Sequence, residues 1–262
     1  MPQLNCHFVS RFLTRPWEHD DRRLTYFDFR DGGIHTQSSR TLFAAMEANT
    51  QQVEARLDAI IETPIAQAMT RLTDVGPGDR QEGLEWRIFR ALALLMMLQP
   101  LRAPGVGGRN ETLEATVQRT DEELDQIAEA ARQSYHLGRI TLRPDAALLY
   151  PAAGFFPIVA QDVHGNWRKC VAIPMALRHV AIAAPGEVDW DAAATLWAAN
   201  GGGMLSNLSV GTSDRVVLPP AHVAAFQPRE IARLVTEMRT DATRLLATAR
   251  DVNEALARLN EV

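Results

Sequence analysis

A short N-terminal run places a histidine and an arginine among apolar residues. His7 is followed by Phe8 and Val9, and Arg11 is followed by Phe12 and Leu13. Imidazole exchanges protons near neutral pH, and the planar guanidinium fork suits carboxylate or phosphate. Because polar groups in apolar surroundings need partners, the run predicts one of two things. It is either an acid or base beside an anion-binding arginine, or a structural hydrogen-bond network that ties this segment to the helices.

Carboxylates that could serve as partners stand on the first predicted helix. Apolar spacing predicts a helix from 42 to 72, and Glu54 and Glu62 line the edge of its buried stripe. Such carboxylates could orient His7, bind Arg102 or hold a metal. A solvated helix face explains them as well.

A second polar pair closes the most apolar helix of the chain, which we predict from 81 to 99. Gln99 and Arg102 stand at its end, before prolines at 100 and 104 that we expect to terminate it. Free carbonyl groups at a helix C-terminus attract a cation, so helix capping is the alternative role for Arg102. We predict catalytic roles for His7 and Glu54, and substrate binding by Arg11, Gln99 and Arg102.

Several chemistries are excluded by missing motifs. Lys169 is the only lysine among 27 basic residues, and no glycine-rich loop ends in Gly-Lys-Ser or Gly-Lys-Thr. No His-Glu-x-x-His occurs, and no glutamate is followed three residues later by histidine. These absences argue against P-loop nucleotide binding, zinc proteases and ferritin-like di-iron bundles, and we assign no metal ligand and no cofactor from the sequence.

Composition bounds the partners and the compartment. The 262 residues carry a net charge of −5, which indicates no general attraction to nucleic acid or to an anionic membrane. Cys6 and Cys170 lack metal-ligand spacing, so a cytoplasmic protein with reduced thiols is the simpler interpretation, and one disulfide is the alternative. No secretory leader is recognisable, and the longest apolar run, 91–98, is too short to cross a bilayer.

The order of elements predicts an α+β fold. Strands at 24–29 and 34–36 flank a glycine turn and form an N-terminal hairpin. A helical part follows at about 40–137, with Pro64 expected to kink its first helix. Short strand-like runs then dominate 138–218, which favours a small, mostly antiparallel sheet. We expect one domain over 1–218 and a helical extension over 219–262.

Two local signals sharpen this outline. Thr120 and Glu123 stand at capping-box spacing and predict that a helix restarts there. In the C-terminal extension, apolar residues recur in steps of three and four along a long helix at 228–260, the spacing of a coiled-coil seam. Self-association or a protein partner follows from that seam, and a helix folded back on its own domain is the alternative.

The motifs resemble the domain of unknown function family 4238. Its members open with His-aromatic-aliphatic-Pro-Arg, and this chain reads His-Phe-Val-Ser-Arg from His7. The resemblance continues through Glu54 and Glu62 and through the Gln-x-x-Arg-x-Pro run at 99–104, and it covers about 5–218. It also implies a role for Asn207, which precedes the last strand.

One family segment departs from this pattern. Members carry Thr-Ser-Asp-Asn/Ser-Pro ahead of a strand, whereas residues 149–154 here contain no aspartate. If that aspartate is catalytic in the family, this chain is altered or inactive. The family brings no settled activity with it.

Two functions remain in competition. The first is a non-enzymatic or regulatory interaction protein with a structural polar cluster. The second is a hydrolase or transferase that acts on a phosphate-bearing substrate, nucleic acid included, with His7 as acid or base and the arginines as phosphate ligands. The missing aspartate and the acidic charge favour the first.

Overall fold

A computed structural model describes residues 5–7, 9–46, 50–74, 85–102, 109–143, 148–198 and 214–259. Their helices and strands follow one another in this order: β1 Asn5–His7, α1 Arg11–Thr14 with a 3-10 turn at Arg15–Trp17, β2 Arg23–Asp28, β3 Gly33–Ser38, β4 Ala44–Met46, α2 Gln51–Leu57, a π turn at Asp58–Glu62, α3 Thr63–Thr73, α4 Trp86–Arg102, α5 Arg109–Val117, α6 Asp121–Ser134, β5 Tyr135–Thr141, β6 Tyr150–Pro151, β7 Phe156–Gln161, β8 Trp167–Ala176, β9 His179–Pro185, α7 at 190–198, β10 Arg215–Val217, α8 Pro220–Ala225 and α9 Pro228–Leu259. The fold is α+β, as the sequence predicts.

Antiparallel pairing joins distant parts of the chain. The hairpin of β2 and β3 shares a four-stranded sheet with β10 and β6, in the order β3-β2-β10-β6. A second antiparallel sheet has the order β5-β9-β8-β7. The sequence predicts the hairpin but not its union with β6 and β10, both more than a hundred residues further along the chain. Alternation reports which residues face a core and not which strand lies alongside.

The start of the first long helix differs from the prediction. Helix α2 begins at Gln51 and not at 42, and the Thr50 hydroxyl caps it by accepting a hydrogen bond from the Val53 amide at 3.3 Å. Residues Ala44–Met46 instead form β4, which pairs with Asn5–His7. The N-terminal strand takes these residues because its own backbone groups need a partner.

Two prolines, Pro64 and Pro100, differ in their effect on the helices that contain them. Pro64 lies in the first turn of α3, directly after the π turn, so the helix widens where the ring would clash with an earlier carbonyl. Pro100 does not end α4, which continues to Arg102. We attribute that last turn to Arg102, whose side chain is held by residues outside the helix.

Helix α4 lies at the centre of the core. It packs against α3, α5 and α6 and buries most of its surface. The bulkiest fully buried side chains are Trp17, Trp190 and Trp197. Gly138 lets Trp190 approach, since an added Cβ there would lie 1.7 Å from the indole ring.

The capping box at Thr120 is present and α6 follows it, which confirms the predicted restart.

Helix α9 begins on the first sheet. Ile231 and Val235 are buried in a small apolar cluster with Phe27 and Val216, and the Arg239 guanidinium stacks 4.1 Å from the Phe29 ring centroid. Over these turns the helix folds back on its own domain. The side chains of the predicted seam from Ala242 onward lie outside the described residues.

Candidate functional site

Polar side chains from four separate segments meet inside the core. They come from the residue before α1, the π turn, the C-terminal end of α4 and strand β6, and we call them the Arg102 cluster: Ser10, Glu62, Gln99, Arg102 and Tyr150. Ser10, Gln99 and Tyr150 are 0% exposed and Arg102 is 1% exposed. The cluster joins three stretches in which the sequence predicts site residues: the N-terminal run, the first long helix and the end of α4.

Arg102 stands at the centre of this cluster. Its Nη2 donates to Glu62 Oε1 at 3.0 Å, and its Nη1 donates to Ser10 Oγ at 3.3 Å. The Glu62 side chain keeps 23% of its surface exposed, so the ion pair lies at the edge of the buried volume. The guanidinium is therefore committed to groups of the protein itself, and removal of its carboxylate would leave a buried charge.

The π turn determines which acid reaches Arg102. Glu62 is the last residue of that turn, and the extra residue per turn rotates it relative to an ordinary α-helix. Asp58, at the start of the turn, is exposed and accepts a hydrogen bond from the Thr63 hydroxyl at 3.2 Å. Glu54 is half-buried in α2, which precedes the π turn. The carboxylate that pairs with Arg102 is thus Glu62.

The segment after β1 is anchored by its apolar side chains. Val9, Leu13 and Trp17 are fully buried, and the Trp17 indole nitrogen donates to the Leu148 carbonyl at 2.8 Å. Ser10 lies between these anchors, and its carbonyl accepts from the Leu13 amide at 3.0 Å. Its hydroxyl is consequently fixed where the Arg102 guanidinium can donate to it.

Gln99 binds the turn that follows β6. Its side-chain nitrogen donates to the Ala153 carbonyl at 3.0 Å. Gly154 has a φ of +76°, and an added Cβ would lie 2.5 Å from that nitrogen and 2.9 Å from a Val9 methyl group. Glycine is required there by both the backbone conformation and the close packing. This turn lies in the segment 149–154, which departs from the motif of the family that the sequence resembles.

Tyr150 brings a phenol into the same volume. Its ring packs edge-on against Trp17, with centroids 4.9 Å apart, and its hydroxyl is buried without a hydrogen-bond partner among the described residues. Burial raises the pKa of the phenol far above its usual range, against the opposing effect of the Arg102 charge. The hydroxyl therefore stays protonated.

The predicted site residues are only partly brought together. Arg102, Gln99 and Glu62 lie in one cluster. Arg11 is half-buried one residue after Ser10, and its Nε is buried without a hydrogen-bond partner in the described chain. The backbone of His7 lies in β1, paired with Ala44.

Other predicted positions lie beyond what the structure describes. They are the side chain of His7 and the whole of Asn207. Their predicted roles remain predictions.

Ser10 and Tyr150 were not predicted as site residues. Ser10 stands where the family motif has proline, and Tyr150 stands in the segment without the aspartate. These two departures from the motif are the signals that could have pointed to them, because a polar residue in an otherwise apolar run needs a partner.

A second candidate site lies on another side of α4. A groove of about 590 Å³ runs between α4 and α6, above the second sheet. We call it the Lys169 groove, since Lys169 is the only charged side chain among its described lining residues. Its remaining lining is almost entirely apolar, from Phe89 at one end of α4 to Pro100 at the other.

Two kinds of site have no representative in the described parts of the chain. No group of three or more His, Cys, Asp or Glu side chains there could hold a metal ion. None of the described helices combines the length and apolarity needed to span a lipid bilayer.

Comparison with known proteins adds no further constraint: no family model, no curated protein and no solved structure matches this chain. The resemblance to family 4238 therefore stays a prediction.

Proposed function

We propose that this chain is a non-enzymatic interaction protein whose polar cluster is structural. The observation that carries the proposal is the position of Arg102, which is 1% exposed and engaged by Glu62 and Ser10. A phosphate could reach this guanidinium only by displacing the carboxylate that neutralises it. Breaking such a buried pair is strongly unfavourable, so the arrangement supports anchoring of the N-terminal segment and does not favour substrate capture.

Association is assigned to the distal part of α9. Ile231 and Val235 pack on the chain's own sheet, whereas the described side chains at 240, 241, 243, 244 and 247 are exposed. The seam spacing continues beyond them, through Val252 and Leu256. A long helix that carries a seam of this spacing can pair with a second helix. We place the protein in the cytoplasm, in keeping with the free buried thiol of Cys170.

Light scattering of the full chain tests the association. The double substitution Val252→Asp and Leu256→Asp puts charge into the seam, and we expect it to reduce the assembly to a smaller one. Ala257→Asp adds charge one position away from the seam and serves as the control, with no change expected. An unchanged mass for the double variant would contradict the proposal.

One observation favours a phosphate-binding enzyme as the second candidate. The Arg11 Nε is buried and makes no hydrogen bond within the described chain, so this guanidinium retains capacity for an anion. Titration of the full chain with inorganic phosphate and pyrophosphate, followed by calorimetry, tests this function. Saturable binding that Arg11→Met abolishes would favour the enzyme over the interaction protein, whereas heat of dilution alone would count against it.

A further inference from the structure

We propose that the Lys169 groove binds an amphipathic monoanion with a long alkyl body, which is the chemistry of a fatty-acid carboxylate. The proposal concerns a different site from the Arg102 cluster and does not depend on the function proposed above. It follows from the shape of the groove, from the chemistry of its lining and from the place of its one charge.

Strand register builds the floor of the groove. Leu137 pairs with Ala183, and Ala183 pairs with Val171, so these three side chains form one row across β5, β9 and β8. Tyr135 pairs with Pro185 in the next row. Lys169 lies two residues before Val171, which brings it level with Pro185 in this antiparallel arrangement. Lys169 and Tyr135 therefore belong to the same row, at one end of the floor.

Two helices form the walls. Helix α4 contributes Phe89 and Met97, and α6 contributes Ile127 and Ala130. The helices are neighbours along their first turns, where Arg90 Nη1 lies 2.9 Å from Asp125 Oδ1. Met97 is 44% exposed, and so part of the apolar wall faces solvent. Apolar surface left uncovered in a concave site is a usual feature of ligand binding.

Hydroxyl groups and the ammonium group gather at one end. Ser134 ends α6 and directly precedes Tyr135, so both hydroxyl-bearing residues adjoin the row that contains Lys169. Lys169 is exposed and has no ion-pair partner among the described residues. In a chain of net charge −5, an ammonium group that lines the same groove as two hydroxyl-bearing residues, and that has no ion-pair partner in the described chain, is suited to one carboxylate.

The dimensions favour a small molecule over a protein segment. About 590 Å³ lies within the range of small-molecule sites, which is roughly 300 to 1,000 Å³. An alkyl chain would cover the apolar lining without bringing polar groups of its own. Each methylene that leaves water is expected to raise affinity about fourfold until the groove is full.

Calorimetry on the full chain tests the proposal with octanoate, decanoate and dodecanoate, each below its micelle concentration. We expect affinity to rise with chain length. Dodecanol and dodecylamine should bind roughly tenfold more weakly than dodecanoate, because neither offers the anion that a charged donor prefers. Equal affinity for the amine, or no dependence on chain length, would overturn the proposal.

Variants separate the head group from the alkyl site. Lys169→Met should remove the preference for the carboxylate and keep the dependence on chain length, whereas Lys169→Arg should retain both. Arg132→Gln removes an exposed cation of α6 that does not line the groove, and no change is expected. If Arg132→Gln and Lys169→Met reduced the preference for the carboxylate equally, only the overall charge of the protein would matter. That result would argue against a specific site.

A blocking variant addresses the groove itself. Ala130 is exposed at the wall, so Ala130→Trp fills the space without overpacking the core, and dodecanoate binding should be lost. Retained binding would place the ligand elsewhere and refute the proposal. If no carboxylate binds and Ala130→Trp changes the mass in light scattering, the groove is an interface between copies and the proposal is wrong.

Discussion

Helix α4 supports two regions with opposite character. At its C-terminal end, Arg102 is charged, sealed from water and engaged by Glu62 and Ser10. Along another side, the same helix lines the Lys169 groove, which is apolar and partly open and has one ammonium group at its end.

The contrast teaches where binding capacity resides. A buried charge that already has its partners contributes to stability, because any ligand must first replace those partners. Exposed apolar surface beside a charge without an ion-pair partner in the described chain can gain such partners from a ligand. Under the two proposals, the polar residues that first draw attention in the sequence serve the structure, and the plainer groove serves binding.

The largest expected effect comes from breaking the buried ion pair. Glu62→Ala leaves the Arg102 charge without its carboxylate and should lower the free energy of unfolding by about 3 kcal/mol. Asp58→Ala removes an exposed acid from the same turn and should cost less than about 0.5 kcal/mol. Urea unfolding measures both. Equal, small losses would break the comparison, since the cluster would then not be structural.

Gly154 tests the close packing around Gln99. Gly154→Ala strains a backbone of positive φ and also crowds Gln99, so we expect a loss of roughly 2 to 3 kcal/mol. Gly165→Ala is the control, because Gly165 has a φ of +81° with nothing within 4 Å of an added Cβ; about 1 kcal/mol is expected. The difference between the two in thermal or urea unfolding reports the packing alone, and no difference would argue against it.

Asp162, a buried carboxylate outside both regions, extends the comparison to pH. Burial alone would raise the pKa of Asp162, but hydrogen bonds from Asn166, the Arg168 side chain and the His164 amide lower the pKa to about 2. The unfolded chain has an aspartate pKa near 3.9. Because the folded-state pKa is lower, the ionised Asp162 stabilises the fold at pH values above 3.9, and this stabilisation is lost as the pH falls through about 2.

The variant Asp162→Asn removes this titration. Its deficit in unfolding free energy against the parent should therefore be largest near neutral pH and shrink between about pH 4 and 2. Urea titrations across that range measure it. A deficit that stays constant with pH would show that the Asp162 charge is not engaged in the folded state.

The smallest effect is expected at Tyr150. Its hydroxyl has no hydrogen-bond partner among the described residues, so Tyr150→Phe should leave the unfolding free energy unchanged or raise it by up to about 1 kcal/mol. Binding of dodecanoate should not change. If the unfolding free energy fell by more than about 1 kcal/mol, the hydroxyl would have a hydrogen-bond partner, and Tyr150 would contribute to the stability of the Arg102 cluster.

Sequence reasoning succeeds where the signal is local. The capping box at Thr120 and Glu123 predicts the start of α6, which begins at Asp121. It fails where a distant partner competes. Ala44–Met46 has helical spacing to its neighbours, yet it pairs with Asn5–His7 as strand β4. The continuation of α4 past Pro100 has the same origin, since contacts from elsewhere hold Arg102.

The candidate site shows the same division. The sequence indicates that Arg102, Gln99 and an acid of the first long helix belong together. It does not distinguish Glu54 from Glu62, because an ordinary helical period misses the π turn that brings the second acid to Arg102. It also gives no sign of the Lys169 groove, whose lining residues read as core on α4, α6 and three strands.

The amino-acid sequence by itself determined the α+β class, most helices and strands, and the types of side chain available for chemistry, because these depend on residues a few positions apart. Only the tertiary structure decided which of those side chains meet. Arg102 contacts Glu62 from 40 positions away and Ser10 from 92 positions away. Contacts of that range are selected by how the whole core packs, and no local pattern of residues encodes them.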